Sequence, residues 1–284
     1  MNQLLLSLVV PAHNEEKNLP PVLKELVELL AREQIPCEII VVNDCSSDGT
    51  AAVVADFKAH NADVRLVTRT GVPGFGRAIR AGLEQVQGDV VIIYMADCSD
   101  NPRDAVRYYR KLEEGYDCVF GSRFIRGSTL TKYPLGKLVA NRLVNRGIQL
   151  LFQTRFNDLT NAFKAYRKEV IASCGPYQAS HYNITIEMSL SALVRNYSIA
   201  QIPIEWHGRS WGSSHLRLTE MGRRYLSTLL KIFFERLLIA DDLIAELVYA
   251  RTRAAQGQDL YLDRIRELEQ RLAEIEKLQQ QSRQ

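Results

Sequence analysis

The chain has 284 residues, 46% hydrophobic and 24% charged, the proportions of an ordinary globular protein, which exclude disordered and fibrous classes. Its net charge of +3 is too small to imply nucleic acid as a partner. Five scattered cysteines, Cys37, Cys45, Cys98, Cys118 and Cys174, form no CxxC pair, which argues against a disulfide framework or structural zinc and for a reducing, cytoplasmic compartment.

The opening apolar run, 4–10, contains Ser7 and stops at Pro11, too short to span a bilayer and without the bases that begin a signal peptide. Within it, 5–10 predicts a strand, and 15–32 a helix through the spacing of Leu19, Val22, Leu23, Leu26, Leu29 and Leu30. Strands at 38–42, 64–68 and 90–95 follow, with helices over 51–60 and 76–86. The alternation is that of an α/β fold, a mostly parallel sheet flanked by helices. Between Asp117 and Asp158 stand seven bases and no acid (Arg123, Arg126, Lys132, Lys137, Arg142, Arg146, Arg155), a stretch suited to an anionic ligand or an anionic membrane face.

Further on, 163–166 and 198–204 read as strands and 184–194 as a helix. In the segment 219–250 an apolar stripe that includes Leu226, Leu230, Phe233 and Phe234 is broken by Arg224, Lys231, Glu235 and Arg236, so it predicts amphipathic helices and not a transmembrane span. They would lie in a membrane interface or pack on the domain or a sister subunit. The tail, 251–284, places Tyr261, Ile265, Leu268, Leu272 and Ile275 at a four-three spacing, the pattern of a short coiled coil that could join subunits. The domain organisation expected is 1–218, 219–250 and 251–284.

Three strand ends carry the chemistry: Pro11-Ala12-His13-Asn14-Glu15, the run from Asn43-Asp44 to Asp48-Gly49-Thr50, and Ala96-Asp97-Cys98-Ser99-Asp100. In a parallel sheet such ends share one rim, so distant carboxylates converge on one ligand. Taken singly, Glu15 and Asp48 read equally well as helix-start acids. Gly71, Gly74 and Gly76 do not follow the GxGxxG order and no GxSxG is present, which sets aside dinucleotide oxidoreductases and serine hydrolases.

The order of these loops, with Gly121-Ser122-Arg123-Phe124, the run from Asp158 to Tyr166 and the run from Arg209 to Leu216, resembles the family 2 inverting glycosyltransferases of the GT-A fold. Within that family it is most similar to the dolichol-phosphate mannose synthase branch. The resemblance spans about 5–230 and implies transfer of a sugar from GDP-mannose or UDP-glucose to a polyprenyl phosphate. It implies that Pro11, His13, Glu15, Val42 and Asp44 surround the nucleoside, that Ala96 and Asp97 occupy the Asp-x-Asp position, and that Asp97 binds Mg2+ or Mn2+. It further implies that Arg123 and Lys137 take the acceptor phosphate and Arg209 the donor diphosphate. Two departures stand out. Met95 replaces the first aspartate, so Asp100 or Ser99, directly or through water, would complete the metal shell. His215 replaces a lysine, and with an ordinary pKa of about 6.5 it carries charge only when protonated.

The expected reaction is an in-line displacement with inversion, helped by Asp97, Arg209 and His215. A phosphate acceptor is already anionic and needs no general base. A sugar or other hydroxyl acceptor on the same fold would need one, with Asp158 and Glu187 as candidates. A domain that binds nucleotide sugar without turnover is the third reading. Gly127-Ser128-Thr129-Leu130-Thr131 reads as a loop that closes on substrate or as a plain surface connection, and any membrane contact is peripheral.

Overall fold

Strand β1 (Leu6–Ala12) is buried along its whole length between two parallel neighbours, β2 (Cys37–Asp44) and β4 (Val90–Ile93). That placement explains why its sequence is apolar at every position but Ser7. The computed structural model describes residues 3–208, 218–255 and 261–281. Helix α1 (Leu19–Arg32) leads from β1 to β2, and α2 (Thr50–His60), β3 (Val64–Arg69) and α3 (Phe75–Leu83) lie between β2 and β4. Then come α4 (Pro102–Glu113), β5 (Cys118–Ser122), β6 (Thr129–Thr131), α5 (Leu135–Phe152), β7 (Lys164–Arg167) and α6 (Lys168–Cys174). The chain continues through α7 (Ile184–Val194), β8 (Ile199–Pro203), β9 (Glu205–His207), α8 (Leu218–Ala255) and α9 (Tyr261–Gln281).

The main sheet has seven strands in the order β3-β2-β1-β4-β7-β5-β8. Only β7 runs antiparallel, to both β4 and β5, while β8 is parallel to β5. Two reversals restore the direction, so β1, β2, β4, β5 and β8 all end on one rim. Side chains alternate across the sheet: Leu8, Val10, Ile39 and Val41 join α1 and α4 in one core. Val9, Ile40 and Val42 join α3, α5 and α7 in the other. The mostly parallel sheet flanked by helices is the one predicted.

Several boundaries differ for local reasons. Helix α1 begins at Leu19, because Asn14 sits at a left-handed φ of 57° and Pro20 and Pro21 fit only a first turn, where no N–H is required. The 127–131 segment is not a free connection: Thr129–Thr131 pairs in parallel with Glu205–His207 in a separate two-stranded sheet. Helices α4 and α5 and strand β5 fill stretches that pattern alone left blank. Among the described residues no helix is long and apolar enough to cross a membrane.

Helix α8 runs past residue 250 to Ala255. Its first half buries Ile232 on the domain, next to half-buried Tyr225, Leu229 and Phe233. Its second half receives α9: Leu243, Leu247 and Ala250 pack against Leu268, flanked by Ile265 and Leu272. Ion pairs Arg264–Glu246 (2.6 Å) and Arg251–Glu269 (2.5 Å) border the seam. Of the periodic tail positions, Ile265, Leu268 and Leu272 thus pack against α8 of the same chain.

Candidate functional site

The first loop of the rim is built on Asn14. A left-handed conformation is tolerated by asparagine better than by most residues, and here its Oδ1 accepts from Ser47 N (2.8 Å) while its N–H donates to Ser46 Oγ (3.0 Å). These bonds join the end of β1 to the loop after β2. Glu15 is buried; its N–H donates to Thr50 Oγ1 (2.9 Å) and its carboxylate accepts from Asn18 Nδ2 (2.6 Å). His13 is exposed, with Nδ1 2.6 Å from the Asp44 carbonyl oxygen. Pro11 and Val42 are register partners at the ends of β1 and β2, so the five residues expected around a nucleoside share one end of two adjacent strands.

Asp44 is buried and held from two sides. One carboxylate oxygen pairs with Arg69, at the end of β3, and the other accepts from Gly74 N (2.6 Å). Sequence reading missed both partners. The glycine cluster was a signal for the second: a Cβ on Gly76 would collide with the Ala179 carbonyl, so only glycine lets α3 begin this close to the 178–181 segment, where Gly76 and Arg77 N–H donate to the Ser180 carbonyl just after the Gly74 amide that serves Asp44. A carboxylate offers about four acceptor positions, so Asp44 keeps capacity for a ligand beside Arg69, Gly74 N and the Cys45 thiol (4.0 Å).

Beyond β4, Ala96, Asp97, Ser99 and Asp100 are all buried in one tight turn, in which Cys98 takes a left-handed φ of 60°. Asp97 Oδ1 accepts from Ser99 N (3.2 Å). Asp100 turns back on the strand: its Oδ2 accepts from Met95 N (3.2 Å), and its carbonyl accepts from Tyr94 Oη (2.7 Å). Its Oδ1 is buried without a hydrogen-bond partner. Burial and the neighbouring Asp97 charge push the Asp100 carboxyl up to about 8, against the pull of the Met95 amide and Arg123. Among the described residues no group of three or more His, Cys, Asp or Glu could hold a metal. A cation here would therefore take part of its shell from water and a bound phosphate, as magnesium commonly does.

Arg123 follows β5 and is almost fully enclosed. Its Nε and Nη2 donate to the two oxygens of Asp158 (2.8 and 2.7 Å), and its backbone N–H donates to the same carboxylate (3.0 Å). Only 8% of the Arg123 side chain and none of Asp158 is exposed. Tyr133 links the two basic residues expected at the acceptor: its ring centroid lies 5.6 Å from the Arg123 guanidinium carbon and 5.7 Å from Lys137 Nζ, in the first turn of α5. Tyr133 itself was not anticipated. Arg209 and His215 lie outside the described residues.

Lys164, fully buried in β7, fixes the turn that carries Asp158 by donating from Nζ to the carbonyls of Leu159 (2.7 Å) and Asn161 (2.5 Å). Burial pushes its ammonium down to about 7; Arg123 adds to the shift and Asp158 opposes it. In the unfolded chain the group titrates near 10.4. Below about pH 7 both states are protonated and the cost of burying the charge is fully present; between about 7 and 10 the folded chain binds fewer protons, so stability rises with pH. Denaturant midpoints at neutral and alkaline pH should show this rise in the wild type. The rise should be smaller in Lys164→Met.

A second region borders the rim, a cavity of about 600 Å3 between α3, α7 and α8, lined by Arg77, His181, Arg223, Arg224, Lys231 and Glu187 among others. Glu187 is engaged there: it accepts from the amides of Gln178 and Ala179 (2.8 Å for Ala179) and from Lys231 Nζ (2.7 Å).

A family model described as glycosyl transferase family 2 matches residues 7–175, more than half of the chain. The chain belongs to glycosyl transferase family 2. This transferase is 29% identical over 214 residues to the polyprenol monophosphomannose synthase of Mycolicibacterium smegmatis, a match covering 73% of this chain and 79% of that protein. An uncharacterized glycosyltransferase of Synechocystis sp. is 37% identical over 134 residues, 47% of this chain and 42% of the other. In fold, the transferase is similar to glucosyl-3-phosphoglycerate synthase from Mycobacterium tuberculosis, crystallised with Mn2+, UDP and glucosyl-3-phosphoglycerate. The TM-score is 0.60 at 21% identity, covering 81% of this chain and 80% of that one. The architecture is the GT-A arrangement.

Proposed function

We propose that this transferase moves a sugar from GDP-mannose or UDP-glucose to a polyprenyl phosphate, with inversion at the anomeric carbon. The observation that carries the acceptor class is the state of the two carboxylates that could have served a hydroxyl acceptor as base. Asp158 is wholly buried in its bidentate pair with Arg123, and Glu187 is 2% exposed and bonded to amides and Lys231. Neither is available to take a proton from a substrate. A phosphate acceptor is anionic near neutral pH and attacks without a base. The name of the mycobacterial relative, a polyprenol monophosphomannose synthase, supports the same class and favours mannose.

In this reading Pro11, His13, Glu15, Val42 and Asp44 receive the nucleoside, with Asp44 held ready by Arg69 and Gly74. Mg2+ or Mn2+ belongs at Asp97, with Asp100 or Ser99 beside it: these are hard oxygen donors, and the partnerless Oδ1 of Asp100 fits a cation. A divalent ion held there would supply charge neutralisation for the leaving diphosphate, a task that Arg209 and His215 would share. Arg123 and Lys137 lie beside the same Tyr133 ring, and together they orient the acceptor phosphate.

The test is transfer of radiolabelled sugar from each donor to a short-chain polyprenyl phosphate, with and without Mg2+ or Mn2+. Lipid-linked product from one donor, dependent on the metal, is expected. No product from either donor, alongside measurable nucleotide binding, would leave a hydroxyl acceptor or a binding domain without turnover.

A further inference from the structure

Helix α5 presents to solvent what a soluble helix normally buries. Leu135, Val139, Leu143 and Leu150 are 78%, 66%, 73% and 79% exposed, and at helical spacing they fall on one face. Arg146 lies within that face and is exposed. Helix α8 repeats the arrangement while its other side packs on the domain: Leu226, Leu230, Phe234 and Leu238 are exposed between Arg223 and Asp241. The two helices meet where the Phe152 and Phe233 rings stand 6.4 Å apart and Arg236 Nη1 donates to the Phe152 carbonyl (3.1 Å). Singly exposed leucines are ordinary, but two adjoining helices with eight such side chains call for an occupant.

We propose that the outer faces of α5 and α8 form one docking surface for an anionic lipid bilayer. Charge selects this occupant. The stretch from Cys118 to Asn157, which includes α5, holds seven bases and no acid, and the first part of α8, 218–240, holds Arg223 and Arg224, with Lys231 engaged by Glu187 and Arg236 by the Phe152 carbonyl, against Glu220 and one further acid, Glu235. That glutamate is already paired with Arg195. Beyond it the helix turns acidic at Asp241 and Asp242, which ends the stretch suited to an anionic surface. A second copy of the chain docked through the same faces would set bases against bases, because a two-fold interface is self-complementary. Anionic headgroups instead match Arg146 and Arg223, both exposed within these faces, while the leucines enter the acyl boundary. Helix α5 also begins beside Tyr133 and Arg123. Docking through it therefore brings the acceptor-phosphate pocket to headgroup level. That last consequence rests on the polyprenyl-phosphate reading; the docking itself does not.

The experiment is flotation of the full chain with phosphatidylcholine vesicles and with vesicles that also contain phosphatidylglycerol. The wild type should float with the mixed vesicles, less so as salt is raised, and poorly with the neutral ones. Val139→Asp/Leu143→Asp and Leu230→Asp/Phe234→Asp should each weaken flotation by roughly tenfold or more, since a single buried leucine contributes about that factor. Transfer to a water-soluble short-chain acceptor should be unchanged in these variants, which shows that they fold. Failure of the wild type to float, or flotation that both pairs leave intact, would overturn the proposal. So would a concentration-dependent dimer, measured by light scattering without lipid, that the same variants dissociate. If the wild type floats yet transfers sugar to no polyprenyl phosphate, docking stands and the acceptor reading fails.

Discussion

Asp97→Ala is expected to lower metal-dependent transfer by roughly 10²–10³-fold, the loss typical when a charge-stabilising group at a reacting centre is removed. The size follows from how few protein ligands this turn offers. No described cluster supplies three metal-binding side chains, Met95 contributes no carboxylate, and Asp100 spends one oxygen on the Met95 amide. With Asp97 gone, only Asp100 and Ser99 would remain in this turn to hold the ion. The converse substitution, Met95→Asp, should lower the Mn2+ concentration needed for half-maximal nucleotide binding, measured by titration calorimetry. Unimpaired transfer by Asp97→Ala would remove this turn from the reaction.

Asp158→Ala is expected to destabilise the fold by about 3–5 kcal/mol, because it leaves the Arg123 guanidinium buried without its partner. Three hydrogen bonds converge on that carboxylate, including the amide that ends β5, so the loss would loosen the loop leading to Tyr133 and Lys137. The double variant Arg123→Met/Asp158→Leu should recover most of the stability in denaturant titrations, since a buried ion pair replaced by apolar groups of similar volume is often neutral. It should not recover transfer, if the Arg123 guanidinium holds the acceptor phosphate. A double variant as active as the wild type would reduce the pair to a structural brace.

Much of the fold was legible because its strands are written for burial on both faces. Runs such as Ile39 to Val42 and Val90 to Ile93 fit little else, and the amphipathic spacing of α1 marks the face that meets them. Helix α5 was illegible for the opposite reason. The outer side chains of α5 are apolar yet exposed, so its pattern does not divide into a wet and a dry face. Lys164, in β7, is a cation at a fully buried strand position, which no hydrophobic template anticipates.

The sequence by itself determined the carboxylate loops, their order and the family they resemble, because strand, turn and cap chemistry are local. Only the tertiary structure decided what those groups are doing. Asp44 takes its partners from residues 25 and 30 positions away, and Asp158 meets Arg123 across 35. Whether a carboxylate is a free base or half of a buried pair depends on which strands are neighbours, and β7 reverses direction to bring Asp158 back to the end of β5. The periodic tail likewise could pair with a second chain or with its own. Leu268 of α9 packs on Leu243 and Leu247 of α8, and a partner tethered in the same chain outcompetes one that must diffuse in.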